Sequence, residues 1–154
     1  MLPKKLKYAI QGAALVSFFG IAFFACTKDE PVQNVPFIKY LGISTETIIQ
    51  QQDKLIVTIY YEDGDGDLGS DNPDVNLVRV KDSRLPFADY YYLPPLAPLD
   101  HELPIQGELD IEIFPIILIG NGSQETAVFT ISLEDRAGNQ SNEITTPQVT
   151  ILRE

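Results

Sequence analysis

The sequence predicts an all-β domain behind an N-terminal leader, and three observations carry that reading. From Phe37 onward no amphipathic stripe of 3.6-residue period runs longer than a turn or two. What recurs instead is short runs of β-branched and aromatic residues separated by Gly, Pro, Asn and Asp. Several of these runs alternate apolar and polar residues, the pattern of a strand with one buried face.

Residues 1–25 come first and read as a signal peptide. Lys4, Lys5 and Lys7 precede the uncharged apolar run Tyr8 to Ala25, a basic n-region followed by an h-region and a small residue. The next residue, Cys26, is the only cysteine, so an exported chain has no intramolecular disulfide to make with it. Phe23-Phe24-Ala25-Cys26 resembles the lipobox of bacterial lipoproteins, with Phe24 standing where a small residue is usual. That resemblance implies cleavage before Cys26, a covalent lipid on its thiol and anchoring through acyl chains. Two or three such chains hold stably where one is marginal. The alternative is an uncleaved anchor helix, because about 18 apolar residues just span a bilayer. Either places the body outside the inner membrane.

Residues 26–36 are the lipidated Cys and a linker. Thr27 to Pro36 holds two prolines and three charges and reaches at most about 35 Å when extended. Lys28-Asp29-Glu30 resembles the export signal of surface lipoproteins in Bacteroidota-type bacteria, which implies display on the outer face of the outer membrane; the alternatives are the periplasmic face and an ordinary solvated charge cluster. Residues 1–25 hold three of the 11 basic residues and none of the 22 acidic ones, so the remainder carries 8 against 22, a net charge of −14. Such a body is repelled by nucleic acid and by anionic headgroups, and it leaves divalent cations and basic partners open.

Residues 37–154 form the folded domain. Phe37 to Ser44 is the first expected strand. Lys54 to Tyr61 is the second, with Leu55, Val57 and Ile59 on one face and Ile56, Thr58 and Tyr60 on the other. Val75 to Asp82 is the third. Ser83 to Gln106 holds five prolines and is too long for a hairpin loop, so it is expected to cross between sheets with a short edge strand near Tyr90 to Leu93. Gly107 to Phe114 alternates Leu109, Ile111 and Ile113 with Glu108, Asp110 and Glu112. Pro115 breaks that run, and Ile116 to Ile119 is expected to continue it as a bulge or edge. Ala127 to Glu134 follows the Gly120-Asn121-Gly122 turn, and Ile144 to Leu152 closes the chain. About seven strands with these spacings predict an immunoglobulin-like sandwich.

The stretch Glu62 to Gly69 packs four acids and three glycines into eight residues and cannot be core. Asp63, Asp65 and Asp67 alternate with glycines, which permit turns that aim several oxygens at one point. Calcium takes six to eight oxygen ligands, and clustered carboxylates supply them. In an EF-hand register from Asp63, the residues Asp65, Asp67, Asp71 and Asp74 fall at ligand positions. Leu68 replaces the required Gly and strands flank the loop, so only the ligand spacing is shared. Antiparallel alternation brings the loop after the penultimate strand to the same end, which adds Asp135 and Asn139 to Asp63, Asp65, Asp67 and Asp71 as candidate Ca²⁺ ligands. The plainer alternative is that Asp and Gly simply form turns, with Arg136 pairing an acid of the other loop.

Asp135-Arg136-Ala137-Gly138-Asn139-Gln140-Ser141-Asn142 resembles the last-hairpin signature of bacterial immunoglobulin-like and cadherin-like surface modules. Together with Asp63 to Gly69 it is similar to small Bacteroidota-type lipoproteins over about residues 37–152. The resemblance implies a fold and a location and carries no activity. The first strand starts at the end bearing both loops, so the acidic tip is expected to face the tether.

Tyr90-Tyr91-Tyr92, followed by Leu93-Pro94-Pro95, is the candidate ligand-binding surface for a glycan or a protein. Its alternative is that alternate tyrosines pack onto the sandwich. His101 stands alone, without the second His or Cys that a zinc site needs. No Gly-x-Ser-x-Gly or His-Glu-x-x-His occurs, and the single Cys is committed to lipid, so no enzyme is expected. The expected function is a membrane-anchored envelope lipoprotein acting as a non-catalytic, Ca-stabilised binding or adhesion module. A structural accessory subunit of an outer-membrane complex is the alternative.

Overall fold

Ten strands and no helix make up the regular structure of residues 33–154, the part of the chain that the computed structural model describes. The expected signal peptide, Cys26 and the linker as far as residue 32 lie outside the described residues. Within them, no helix is long and apolar enough to cross a membrane. The strands are β1 (Phe37–Ile43), β2 (Thr47–Ile49), β3 (Leu55–Asp63), β4 (Asn76–Asp82), β5 (Asp89–Tyr92), β6 (Ile105–Ile113), β7 (Gln124–Ala127), β8 (Phe129–Leu133), β9 (Ile144–Thr145) and β10 (Val149–Leu152). They form a β-sandwich of three sheets, ordered β1-β3-β6, β5-β4-β8-β9 and β2-β10-β7.

Alternation determines what is buried. Leu55, Val57 and Ile59 of β3 are fully buried, and Val78 and Val80 of β4 join Ile131 and Leu133 of β8 in the same core. Each such side chain contributes about 1.5–3 kcal/mol through burial. On β6, Ile111 and Ile113 are buried while Glu108, Asp110 and Glu112 face solvent, as their alternation requires.

Three expectations need correction. Ile116 to Ile119 is not a strand. Ile116 and Leu118 still reach the core, but the backbone is satisfied by Gln50, whose Oε1 accepts from Leu118 N at 3.0 Å, and by Glu125, which accepts from Ile119 N. The single strand expected over Ala127 to Glu134 is β7 and β8, divided at Val128, where the chain leaves β10 and joins β4. The expected Ile144 to Leu152 strand divides in the same way into β9 and β10. Both partners of one hairpin change sheets together, which raises the strand count above seven.

β2 has no counterpart in the sequence reading. Its three residues pair parallel with β10, Thr47 opposite Thr150, and are too few to show a period. A side chain makes another stitch. Asn142 accepts from Ile38 N at 2.9 Å and donates to Ile38 O at 2.8 Å, tying β1 to the β8–β9 connection.

Candidate metal centre

β3 runs two residues further than its apolar pattern, so Asp63 is a strand residue and its side chain points inward. The loop behind it turns under the crossover segment. Gly66 (φ 71°) and Gly69 (φ 84°) both lie in the left-handed region. A Cβ at Gly66 would lie 2.2 Å from Leu103 O, and one at Gly69 would lie 2.1 Å from Pro94 O. Backbone bonds hold this contact, from Leu103 N to Asp65 O at 3.2 Å and from Leu96 N to Leu68 O at 3.1 Å. Glycine is therefore required twice, by conformation and by space.

The β8–β9 connection meets this loop from the other side. Leu68 bridges Asp135, Ala137 N donates to Asp67 Oδ2 at 3.0 Å, and Arg136 N donates to Asp67 O at 3.3 Å. Asp63, Asp67 and Asp135 each contribute a carboxylate oxygen to a group lying within 4.8 Å of one another. Asp63 is fully buried and Asp135 is 1% exposed.

The electrostatics of this group are unbalanced. Asp63 Oδ2 accepts from Leu68 N at 3.2 Å, yet Asp63 Oδ1, Asp65 Oδ1 and Asp67 Oδ1 are buried without a hydrogen-bond partner among the described residues. Burial first, then the charges of Asp65 and Asp67, pushes the Asp63 carboxyl up to about 6 against the pull of the Asp67 and Leu68 N–H groups. Burial and the neighbouring Asp135 and Asp65 raise Asp67 as well, opposed by Ala137 N–H and Arg136. Arg136 does not neutralise the cluster through an ion pair, since its Nη1 donates to Gly69 O at 2.8 Å.

Buried anionic oxygens that aim together and lack donors are the donor set of a hard cation. Asp63, Asp67 and Asp135 fit that role by position, and Asp65 adds a buried oxygen without a donor among the described residues. The other two candidate ligands do not join them. Asp71 is exposed and outside the group, as is Asp74, so the EF-hand spacing has no structural counterpart beyond Asp67. Asn139 acts on Asp135 instead: its N donates to Asp135 Oδ1 at 2.7 Å and its Nδ2 to Asp135 Oδ2 at 2.9 Å.

Residues 33 and 34 also arrive here. Gly64 N donates to Gln33 O at 3.1 Å, and Asn139 Nδ2 donates to Asn34 O at 3.3 Å. Sequence reasoning did not assign Ser141 and Asn142, although both stand in the resembling string. Ser141 Oγ accepts from Leu133 N at 2.9 Å, so most of that string is occupied in closing this end of the sandwich.

The tyrosines separate by strand alternation. Tyr90 (56% exposed) and Tyr92 (40%) face outward on the edge strand β5, while Tyr91 packs against the core and burial raises its hydroxyl pKa. His101 is exposed beside Asp100. A second charged group lies at the other end of the sandwich, where Arg84 pairs with Asp82 at 2.6 Å and with Glu125 at 2.8 Å. Glu125 also accepts from Gly120 N and Ile119 N, which hold its pKa below the usual range. Arg84 reaches both acids and Glu125 takes two further N–H donors, so the group reads as structural. No protein-family model, curated protein or solved structure matches the chain.

Proposed function

We propose that the protein is a lipid-anchored envelope module with an immunoglobulin-like sandwich, non-catalytic, whose tether-proximal tip is closed by Ca²⁺. The observation that carries this reading is the set of three buried carboxylate oxygens without partners among the described residues, beside the point where residues 33–34 meet the domain. Asp63, Asp65, Asp67 and Asp135 would hold the ion, and Asn139 would orient Asp135. The bound ion supplies the positive charge that this cluster lacks. An all-oxygen protein cage suits calcium better than zinc, which favours nitrogen and sulfur, or magnesium, which keeps its waters.

The immunoglobulin-like assignment draws support from the order β1-β3-β6 opposite β5-β4-β8-β9, with the first and last strands meeting through β2 and β10. Tyr90 and Tyr92 supply two exposed aromatic faces on one strand for a glycan or protein ligand. The accessory-subunit reading has an observation of its own. Leu85, Phe87 (82% exposed), Phe114, Ile117 and Ile119 are exposed around the far ends of β4 and β6, away from the tether.

Calorimetric titration of residues 27–154 with Ca²⁺, paired with thermal melting, tests the central reading. Heat of binding and a melting point several degrees higher are expected, since saturation at 100 Kd adds about 2.7 kcal/mol. No heat and no shift at millimolar Ca²⁺ overturns it. For the anchor, acyl labelling is expected in the native chain and lost in Cys26→Ala, and surface proteolysis of intact cells distinguishes the outer face from the periplasmic one.

A further inference from the structure

β6 pairs with β3 residue for residue, from Ile113 opposite Leu55 to Ile105 opposite Asp63, without a register shift. It is the last strand of its sheet, and among the described residues its backbone bonds only to β3. Alternate residues of an antiparallel edge turn N–H and C=O outward, so about four residues of β6 present unpaired donors and acceptors.

The other edges are blunted. β1 has a register shift between Tyr40 and Gly42, and Asn142 occupies both backbone groups of Ile38. β5 is four residues long and lies between Pro86 and Pro94; β7 also has four residues, β2 has three and β9 has two. β6 has nine residues and contains no proline, lysine or bulge.

What β6 does carry is chemically selective. Gln106, Glu108, Asp110 and Glu112 are exposed at alternate positions, and among the described residues only Glu112 of the three acids has a cation, Lys54 at 2.8 Å. Like charges set opposite one another repel, so a second copy of this strand is rejected. On the inward side, Ile105 and Leu109 pack against the core but remain partly uncovered at the margin. A complementary strand would set Lys or Arg beside the acids and apolar side chains over Ile105 and Leu109.

We propose that β6 is a docking edge for an extended segment of a partner polypeptide with alternating basic and apolar residues, which joins the sheet beside Ile105–Ile113. Backbone bonds supply adhesion, and the alternating side chains supply selection. The edge starts beside the carboxylate cluster, where Ile105 lies opposite Asp63, and runs away from it to Ile113; Tyr90 and Tyr92 lie on a different sheet.

The test uses the full chain in non-ionic detergent and a synthetic peptide of about ten residues alternating Lys and Val, long enough to cover the strand. Controls are a peptide of the same composition in block order and one alternating Glu and Val. The alternating Lys peptide is expected to slow hydrogen exchange at outward amides of Ile105–Ile113. It should also bind about tenfold or more tightly than either control, with affinity falling as salt rises. Glu108→Gln with Glu112→Gln is expected to weaken it about tenfold without moving the melting point, and Glu108→Lys with Glu112→Lys to weaken it further. Equal binding of the block-order peptide, protection located outside β6, or unchanged affinity in a folded double variant would each overturn the proposal.

Discussion

Asp63 is where the residue scale is most sharply tested. Burial pushes its carboxyl up to about 6 from an ordinary 3.8, so between those values the folded state holds a proton that the unfolded chain releases. In the absence of divalent cations, stability therefore falls as pH rises from about 4 to 6 and is level above. Glu125, held below its ordinary 4.5, gives stability that rises through that value and then levels off, so it opposes the trend at its lower end and leaves the fall toward pH 6 to Asp63. With chelator present, the melting point is expected to be higher at pH 5 than at pH 7.5; Ca²⁺ reverses the order, because it binds the ionised cluster. Asp63→Asn removes the charge and keeps an oxygen for Leu68 N. It should raise the chelated protein's stability by about 1–3 kcal/mol and abolish the Ca²⁺ response, whereas a purely structural Asp63 would show a loss. Gly66→Ala must relieve a contact of 2.2 Å at positive φ, and a loss of about 2 kcal/mol or more is expected in urea unfolding.

At the scale of elements, the β8–β9 connection does two jobs. It presents Asp135 to the acidic loop, and through Asn142 it gives β1 a partner on its open side. Asn142→Ala removes both bonds to Ile38 and is expected to cost about 1–2 kcal/mol, read by denaturant melts, with faster hydrogen exchange in β1. Asn142→Asp keeps the acceptor for Ile38 N and loses the donor, so it should fall between. The element reading also shows why Ile116 to Ile119 misled. Alternate residues are buried there, as in a strand, but Gln50 and Glu125 side chains take the place of a neighbouring ladder. Alternation reports which residues face the core, and it is silent on what satisfies the backbone.

The whole molecule is closed by pairing its ends. β2 near the start lies parallel to β10 at the finish, and β10 also carries β7. Removing residues 149–154 leaves two strands without their common neighbour. The truncated chain is expected to lose its cooperative thermal transition, measured by calorimetry. A net charge of −14 over residues 26–154 adds self-repulsion to a tip that already concentrates acids. If Ca²⁺ closes that tip, the link at Gln33 and Asn34 should resist limited proteolysis in Ca²⁺ and be cut sooner in chelator; equal cleavage would separate the ion from that link.

The sequence by itself determined the all-β class, the buried faces of β3 and β6, the edge position of β5 and the acid-rich composition of one loop, because two-residue alternation and turn chemistry are local properties. It also indicated that the loops bearing Asp63 and Asp135 share an end, since antiparallel order alone requires that. Only the tertiary structure decided which acids converge. Asp71 and Asp74 follow the right spacing yet face solvent, while Asn139 is turned onto Asp135. Spacing along a chain limits reach, but the direction of a side chain depends on the glycine turns at Gly66 and Gly69 and on the crossover packed over them. The same applies to Asn142 and the parallel pairing of β2: their partners stand 104 and 103 positions away, at Ile38 and from Thr47 to Thr150. No local pattern records a contact that forms only when the sandwich closes.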